Sequence, residues 1–406
     1  MHRWLVPMVA TVGIALAATV HGCGDDGGSA GTSSSGGTGS NAGSEASGNS
    51  PSIPSATSAN SGATSTGGSA GTNGATTQAD TTGGASSLGR VTVQEVTTWR
   101  NGAVAAYSII HDDACGYGLD SLFDVADPAL RERGLHAGFG VIVSNCEERE
   151  LWNPVNAMAE YGHEIINHSW SHAAGIPDDP AVWPTEIEMS TTVLAKNLRG
   201  QAVDFFIFPY DAFNDAVVAE LEALDYLGVR AGTRGVNDAE FVDDMRIMFD
   251  AYGPDGASIY PDDTMAAYLD AAEASGGWAL RELHGIDGDL WGAIPAADYL
   301  AHLDDVAARI GRGTIWMDTP TQVVRYRHAR AACGLPTVSG SALTYEAQGE
   351  CLTFATTVTL RVLVESDPGG VVAEQDGVVM PSRKVGGGEF YVDMAVDGGA
   401  LVLAER

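Results

Sequence analysis

Basic residues are scarce: 21 lysines and arginines stand against 53 aspartates and glutamates in 406 residues, a formal net charge of -32 at pH 7. A surface that acidic repels phosphate backbones and anionic headgroups, which argues against nucleic-acid binding and against electrostatic docking on a membrane. Long hydrophobic runs are also missing. The longest, Trp4 to Val20, is interrupted by Pro7 and follows the basic start Met1-His2-Arg3. It is too short and wrongly flanked for a membrane span and reads as an export signal. Aliphatic side chains are nearly absent from 24–90, where Gly, Ser, Thr, Ala and Asn dominate. Such a segment buries too little apolar surface to offset chain entropy and is expected to be a disordered tether, with an end-to-end distance of about 45 Å. Cysteine is sparse as well, with five in the chain, an odd number.

The odd cysteine has a place. Residues 1–23 end in Ala18-Thr19-Val20-His21-Gly22-Cys23, which resembles a bacterial lipobox, with small Gly22 before a cysteine that would be lipidated after cleavage. The expected location is therefore exported: a cell-envelope lipoprotein held at a membrane only through Cys23, or an extracellular protein. Cys115, Cys146, Cys333 and Cys351 remain, and in an oxidising compartment an even set reads as disulfides. Cys115–Cys146 and Cys333–Cys351 are the favoured pairs, each within one local segment; four buried thiols are the alternative.

From Val104 onward, apolar strand-like runs alternate with amphipathic helical stretches. The runs are Val104–Ile110, Gly138–Val143, Phe205–Phe208, Gly228–Ala231, Trp278–Leu283 and Thr314–Met317. Helices are expected over Thr185–Leu198, Asn214–Tyr226, Asp263–Ala274 and Ala296–Ile310. Asn214 is an N-cap candidate, with Val217, Leu221 and Leu224 on one face. Alternating β and α units imply an α/β fold with a mostly parallel sheet, closed or partly closed into a (β/α) barrel, whose chemistry collects at the C-terminal strand ends. The barrel is expected over 91–335. Beyond it, 336–406 alternates apolar and polar residues between glycine-rich turns, a small antiparallel β module. At about 70 residues it is short for a full immunoglobulin-like sandwich, so it is expected to pack on the barrel, with carbohydrate binding one role open to it.

Four constellations carry chemistry. Asp112 and Asp113 stand side by side after a buried strand, where a cation on one leaves its neighbour free as a base. His168 and His172, four apart in Gly162-His163-Glu164-Ile165-Ile166-Asn167-His168-Ser169-Trp170-Ser171-His172, would share one face of a helical turn and could hold a zinc-like ion. Two histidines and one aspartate leave a coordination position for water; His163, outside the spacing, reads as structural. Pro209-Tyr210 ends an apolar strand with a rigid turn that could aim the Tyr210 N–H outward. His284 ends another strand and is a candidate general acid.

In order and spacing, Asp112-Asp113, His168-Ser-Trp-Ser-His172, Phe208-Pro209-Tyr210 and Leu283-His284 resemble the motifs of the polysaccharide deacetylases, the NodB-homology domain of carbohydrate esterase family 4. The likeness covers roughly 101–330. It implies a distorted (β/α) barrel in which Asp113, His168 and His172 hold a divalent metal, usually zinc, Asp112 is the base, the Tyr210 N–H stabilises the oxyanion and His284 protonates the leaving group. Ser169 would steady a ligand. The implied substrate is an acetylated polysaccharide, with water activated by the metal and Asp112 attacking the acetyl carbonyl: N-acetyl of chitin- or peptidoglycan-like chains, or O-acetyl of xylan-like ones. A non-catalytic carbohydrate-binding barrel is the alternative, and simple metal capture a third reading that would need more exposed ligands. The chain departs from the family pattern in three places. His111 replaces the aromatic before the aspartates, and Ala114 the glycine after them. Ile207-Phe208 stands where an arginine often precedes Pro-Tyr to orient the base. The acid and tryptophan that usually support the acid histidine have no clear counterpart; Asp287, Asp289 and Trp291 are the nearest in sequence.

Overall fold

A computed structural model describes residues 88–240, 243–253, 258–260, 265–288 and 292–406. The export signal, Cys23, the tether, Asp289 and Trp291 lie outside the described residues. In chain order the strands are β1 (Val91–Val96), β2 (Ala105–Ala114), β3 (Gly138–Val141), β4 (Glu164–Asn167), β5 (Phe205–Ile207), β6 (Gly228–Arg234), β7 (Ile247–Ala251), β8 (Trp278–Leu283), β9 (Ile315–Met317), β10 (Thr337–Ser339), β11 (Ala342–Thr344), β12 (Thr357–Val364), β13 (Val371–Gln375), β14 (Val378–Met380), β15 (Ser382–Gly386), β16 (Glu389–Ala395) and β17 (Leu401–Glu405).

Strands β2 to β8 are parallel and form a closed ring of seven. The seam lies at β2, the longest of them. One edge of β2 pairs with β8, while the other pairs with β9 through Ala105–Tyr107 and with β3 through Ile110–Ala114. Strands enclosed on both sides need apolar residues in both alternating sets. Ala106, Ile110, Ile166, Phe205, Ile207, Phe249 and Leu280 belong to one buried cluster, and Ala105, Tyr107, Ile109, Ile165 and Ala279 to another that packs with the helices. Inside, space is tight: a Cβ on Gly140 would collide with the Ile207 side chain.

Helices fill the crossovers as the periodicity predicts, with shifted ends. The helix Asp215–Ala223 is capped by Asn214, whose Oδ1 accepts from the Ala216 and Val217 N–H groups at 3.0 Å each. The stretch expected as one helix over Thr185–Leu198 opens with a wide π turn, Pro184–Met189, before Ser190–Asn197. Strands β1, β4 and β7 carry no expectation from the sequence.

Strand β1 departs from the expected start of the barrel at residue 91, because it pairs antiparallel with β12, Val91 opposite Val364. Its alternation explains this: Val91 and Val93 are buried and Thr92 and Gln94 exposed, a pattern that suits a sheet with one wet face. The C-terminal module is correspondingly larger than expected. It holds two antiparallel sheets, β1-β12-β16-β15 and β10-β11-β17-β13-β14, a sandwich that the borrowed strand completes. Val358, Leu360, Val362, Phe390 and Val392 share a core with Val371, Ala373 and Leu401, and that core continues to Trp99, just before β2, to Trp316 of β9, which pairs beside the N-terminal end of β2, and to Tyr326 of the helix Pro320–Cys333. The module thus packs on the barrel end opposite Asp112, which lies seven residues further along β2, about 23 Å away. Both favoured disulfides, Cys115–Cys146 and Cys333–Cys351, are formed. Among the described residues, no helix is long and apolar enough to cross a membrane.

Candidate active site

The C-terminal ends of β2, β6 and β8, with the loops after β4 and β5, surround a cleft of about 490 Å³ lined by Asp112, Asp113, His168, His172, Tyr210, Asp211, Arg230, Arg234, Glu282 and His284. All six residues singled out by the sequence therefore meet in one place. Strand β2 runs on through His111 to Ala114, so the two carboxylates occupy its last residues rather than following it, and the register with β3 breaks between His111 and Ala114, where Asp113 takes φ 62°. Asp112 is nearly fully buried and Asp113 partly exposed.

Asp113 Oδ1 lies 3.2 Å from both His168 Nε2 and His172 Nε2. His168 Nδ1 faces the Ile207 carbonyl at 3.0 Å; a carbonyl only accepts, so Nδ1 carries the proton and the Nε2 lone pair points at the carboxylate. One ligand atom from each of the three residues falls within 4.8 Å of the others. Asp113 Oδ1 is buried and takes no hydrogen bond. Acceptors crowded in this way need a cation between them, so the residues fit a three-ligand divalent site. Burial works against a charge on the His168 ring, but Asp112 and Asp113 outweigh it and raise its pKa. Burial and the neighbouring His168 lower that of His172. A second trio, Asp112, Glu282 and His284, also draws within 4.8 Å, but there Arg230 already supplies the positive charge.

The pair of histidines does not ride on a helical turn. Strand β4 ends at Asn167 and a loop follows, with Ser169 at φ 66° and His172 at φ 58°. Side chains compensate for the missing helical ladder. Asn167 Oδ1 accepts from the Ser169 N–H at 3.0 Å, and Ser169 Oγ accepts from the His172 N–H at 3.0 Å. The Ser171 N–H and hydroxyl donate to the Glu186 carboxylate at 2.9 and 2.7 Å. The loop thus brings both rings together where the sequence spacing alone pointed to a helix. His163 lies apart: its Nδ1 accepts from the Ala137 N–H and its Nε2 faces Asp127 Oδ1, each within 3.1 Å.

Sequence reasoning left no residue to orient Asp112. The structure places Arg230 of β6 there, with Nη1 2.7 Å from Asp112 Oδ1 and Nη2 2.6 Å from Oδ2, a bidentate pair buried on both sides. Burial pushes the Asp112 carboxyl up, but Arg230 and His168 outweigh it and hold it well below the usual carboxylate range. A signal existed in Gly228-Val-Arg-Ala231, a charge inside an otherwise apolar strand. Glu282, also missed, lies 3.9 Å from His284 Nδ1 and 3.6 Å from Arg230. Burial pushes it up to about 7, against the pull of Arg230. Burial also lowers the pKa of His284, while Asp112 and Asp113 pull the other way. His111, in the aromatic's position, donates from Nδ1 to the His284 carbonyl at 3.0 Å, and its Nε2 accepts from the Tyr299 hydroxyl at 3.0 Å. Burial keeps that ring neutral, with its pKa lowered to about 4. It therefore tethers the segment bearing His284 to β2. The Tyr210 ring is exposed and leans on His172 at 4.6 Å between centroids.

Residues 108–229 match the family model described as polysaccharide deacetylase. The match spans Asp112, Asp113, His168, His172 and Tyr210 and stops one residue short of Arg230; Glu282 and His284 lie beyond it. Among solved structures, the chain is similar to the Xyl-CE4 domain of a multidomain xylanase from the hindgut metagenome of Trinervitermes trinervoides, at 17% identity over 54% of this chain and 89% of that one, TM-score 0.38. It is similar to a family 4 acetyl xylan esterase from Clostridium thermocellum, in complex with a cobalt ion, at 18% identity over 54% and 89%, TM-score 0.36. A CE4 family pseudoenzyme from Bacillus anthracis matches at 13% identity over 54% and 65%, TM-score 0.38. No curated protein matches the chain.

Proposed function

We propose that this chain carries a polysaccharide deacetylase domain, a metal-dependent hydrolase that removes acetyl groups from an exported or cell-surface polysaccharide. The observation that carries the reading is the division of labour between the adjacent carboxylates: Asp112 is locked by Arg230, while Asp113 faces two histidines with an orphaned oxygen. Asp113, His168 and His172 would hold the cation, zinc being the choice for a His2Asp set. When bound, such an ion supplies a Lewis acid that polarises a carbonyl and acidifies water.

The chain's own residues do the rest. Asp112, ionised and held in one orientation, accepts the proton of the water that attacks the acetyl carbon. Tyr210, at the rim of the cleft, offers its backbone N–H to the oxygen on which negative charge develops. His284 delivers a proton to the departing amine or alcohol as the bond to the acetyl group breaks. Because its pKa is depressed, its protonated form is a strong donor once formed. Ser169 and Asn167 keep the His172 backbone in place, and the partly open cleft admits a polymer chain.

Acetate release from a panel of acetylated glycans, among them chitin oligomers, peptidoglycan fragments and acetylated xylan, tests the reading. Activity should vanish with a chelator and return with zinc, and Asp112→Asn should lose at least ~10²-fold. Full activity in purified Asp112→Asn would sink it. Glycan binding without acetate release from any member of the panel would favour the non-catalytic alternative. The two disulfides support an oxidising location, and a lipid anchor at Cys23 remains part of this proposal.

A further inference from the structure

The turn that carries Tyr210 is held in an unfavourable conformation by charges that belong to the base. Tyr210 sits at φ 58°, ψ 19° and Asp211 at φ 54°, two successive non-glycine residues in the left-handed region. Aspartate tolerates that region; tyrosine does so only when its surroundings over-determine it. The backbone bonds across the turn, Asp211 N–H to Phe208 and Ala212 N–H to Pro209, are both 3.2 Å long. The firmer hold is on the Asp211 side chain. Its Oδ1 accepts from Arg230 Nη2 at 3.0 Å and its Oδ2 from Arg234 Nη2 at 3.4 Å. The same Arg230 Nη2 reaches Asp112 Oδ2 at 2.6 Å. Both guanidinium groups lie over the Phe249 ring, at 4.8 and 4.1 Å from its centroid, and Phe249 is buried. One nitrogen on a fixed platform therefore touches the carboxylate proposed as base and the carboxylate next in chain to the proposed oxyanion donor.

We propose that Asp211 is a positioning residue, which through Arg230 and Arg234 holds the Tyr210 amide in register with the Asp112 carboxylate. The assignment rests on the deacetylase reading above. Asp211 is not one of the three residues that would hold the cation; its part is to set the spacing between the group that takes a proton and the group that receives negative charge. Small displacements of such groups cost rate rather than affinity for a bound polymer.

The test compares zinc-loaded wild type with Asp211→Asn, Arg234→Gln and the double variant. Asparagine keeps the left-handed preference and the size but gives up the ionic hold. We expect Asp211→Asn to lower kcat by about 10- to 100-fold with KM within about two-fold, and Arg234→Gln to act in the same direction but less. The double variant should lose less than the two single losses multiplied together, since the two side chains share one contact, while Arg234 also donates to Glu282 at 3.4 Å. Zinc affinity, measured by competition with a chromophoric chelator, should not change. Amide hydrogen exchange in the peptide covering 205–213 should quicken in Asp211→Asn by about the same factor as the rate falls. Unchanged exchange, or kcat equal to wild type, would overturn the assignment, as would a parallel loss of zinc affinity. If wild type releases no acetate from any glycan, the hydrolase reading falls, while the exchange measurement still decides whether Asp211 holds the turn.

Discussion

Arg230 is bonded to two carboxylates and lies 3.6 Å from a third, Glu282, while being almost wholly removed from water. Removing one member of a buried ion pair leaves the other as an uncompensated charge, at a cost of about 3–5 kcal/mol. Arg230→Gln should therefore unfold at markedly lower urea. In the fraction that stays folded, acetate release should fall by at least ~10²-fold, because Asp112 loses its bidentate partner. A denaturation curve beside an acetate assay checks both. The residues of the cleft were legible to unequal degrees. Asp112, Asp113, His168 and His172 stand in runs whose spacing speaks for itself. Arg230 pairs with Asp112 across 118 positions, a contact that one sequence cannot reveal, although a charge amid Gly, Val and Ala asked for a partner. Glu282 was hidden for the same reason, two residues before a histidine that drew attention to itself.

Between residue and domain, the loop after β4 shows how an element is made from side-chain bonds. Glu186 receives two hydrogen bonds from Ser171 and, through its carbonyl, one from the Trp170 N–H. Glu186→Ala removes the two side-chain bonds and should weaken zinc binding by about 10-fold, within the usual range for partners that orient a ligand; chelator competition measures it. The predicted helical turn failed here because a four-residue spacing fits more than one backbone, and the asparagine and serines nearby favour local side-chain bonds over a helix. At the other end of β4, Glu164 accepts from the Thr321 N–H at 3.0 Å and the Thr321 hydroxyl at 2.5 Å, and burial raises its pKa to about 7. The folded state thus holds this proton more tightly than the unfolded one. Its contribution to stability is full below about pH 4.5 and is lost as pH rises through 7, on the order of 3 kcal/mol in all. Glu164→Gln keeps an acceptor for the N–H, and its amide nitrogen can donate to the Thr321 hydroxyl oxygen in place of accepting from it. It should melt above wild type at pH 8, with the advantage vanishing toward pH 4.5, as calorimetry across that range would show.

Over the whole molecule, the order of parallel strands was readable because buried strands and amphipathic helices leave different periods in the sequence. The membership of β1 was not, since nothing local ties Val91 to Val364. The shared core of Trp99, Trp316 and Tyr326 with the β module makes the two parts interdependent. A chain cut to 97–335 would expose that apolar surface and should lack the cooperative unfolding transition of the longer protein, which a thermal melt followed by circular dichroism would reveal.

The borrowed strand also sets a clock. The partner of β1 is made some 270 residues later, which at about 5–20 residues per second is a wait of roughly 15–55 s during synthesis. Throughout that interval Val91 and Val93 can be covered only by something other than their final neighbours. From β2 to β8 each barrel strand meets the next in sequence, with β8 returning to β2, but the sandwich closes last, so its completion registers that the chain has emerged as far as β17.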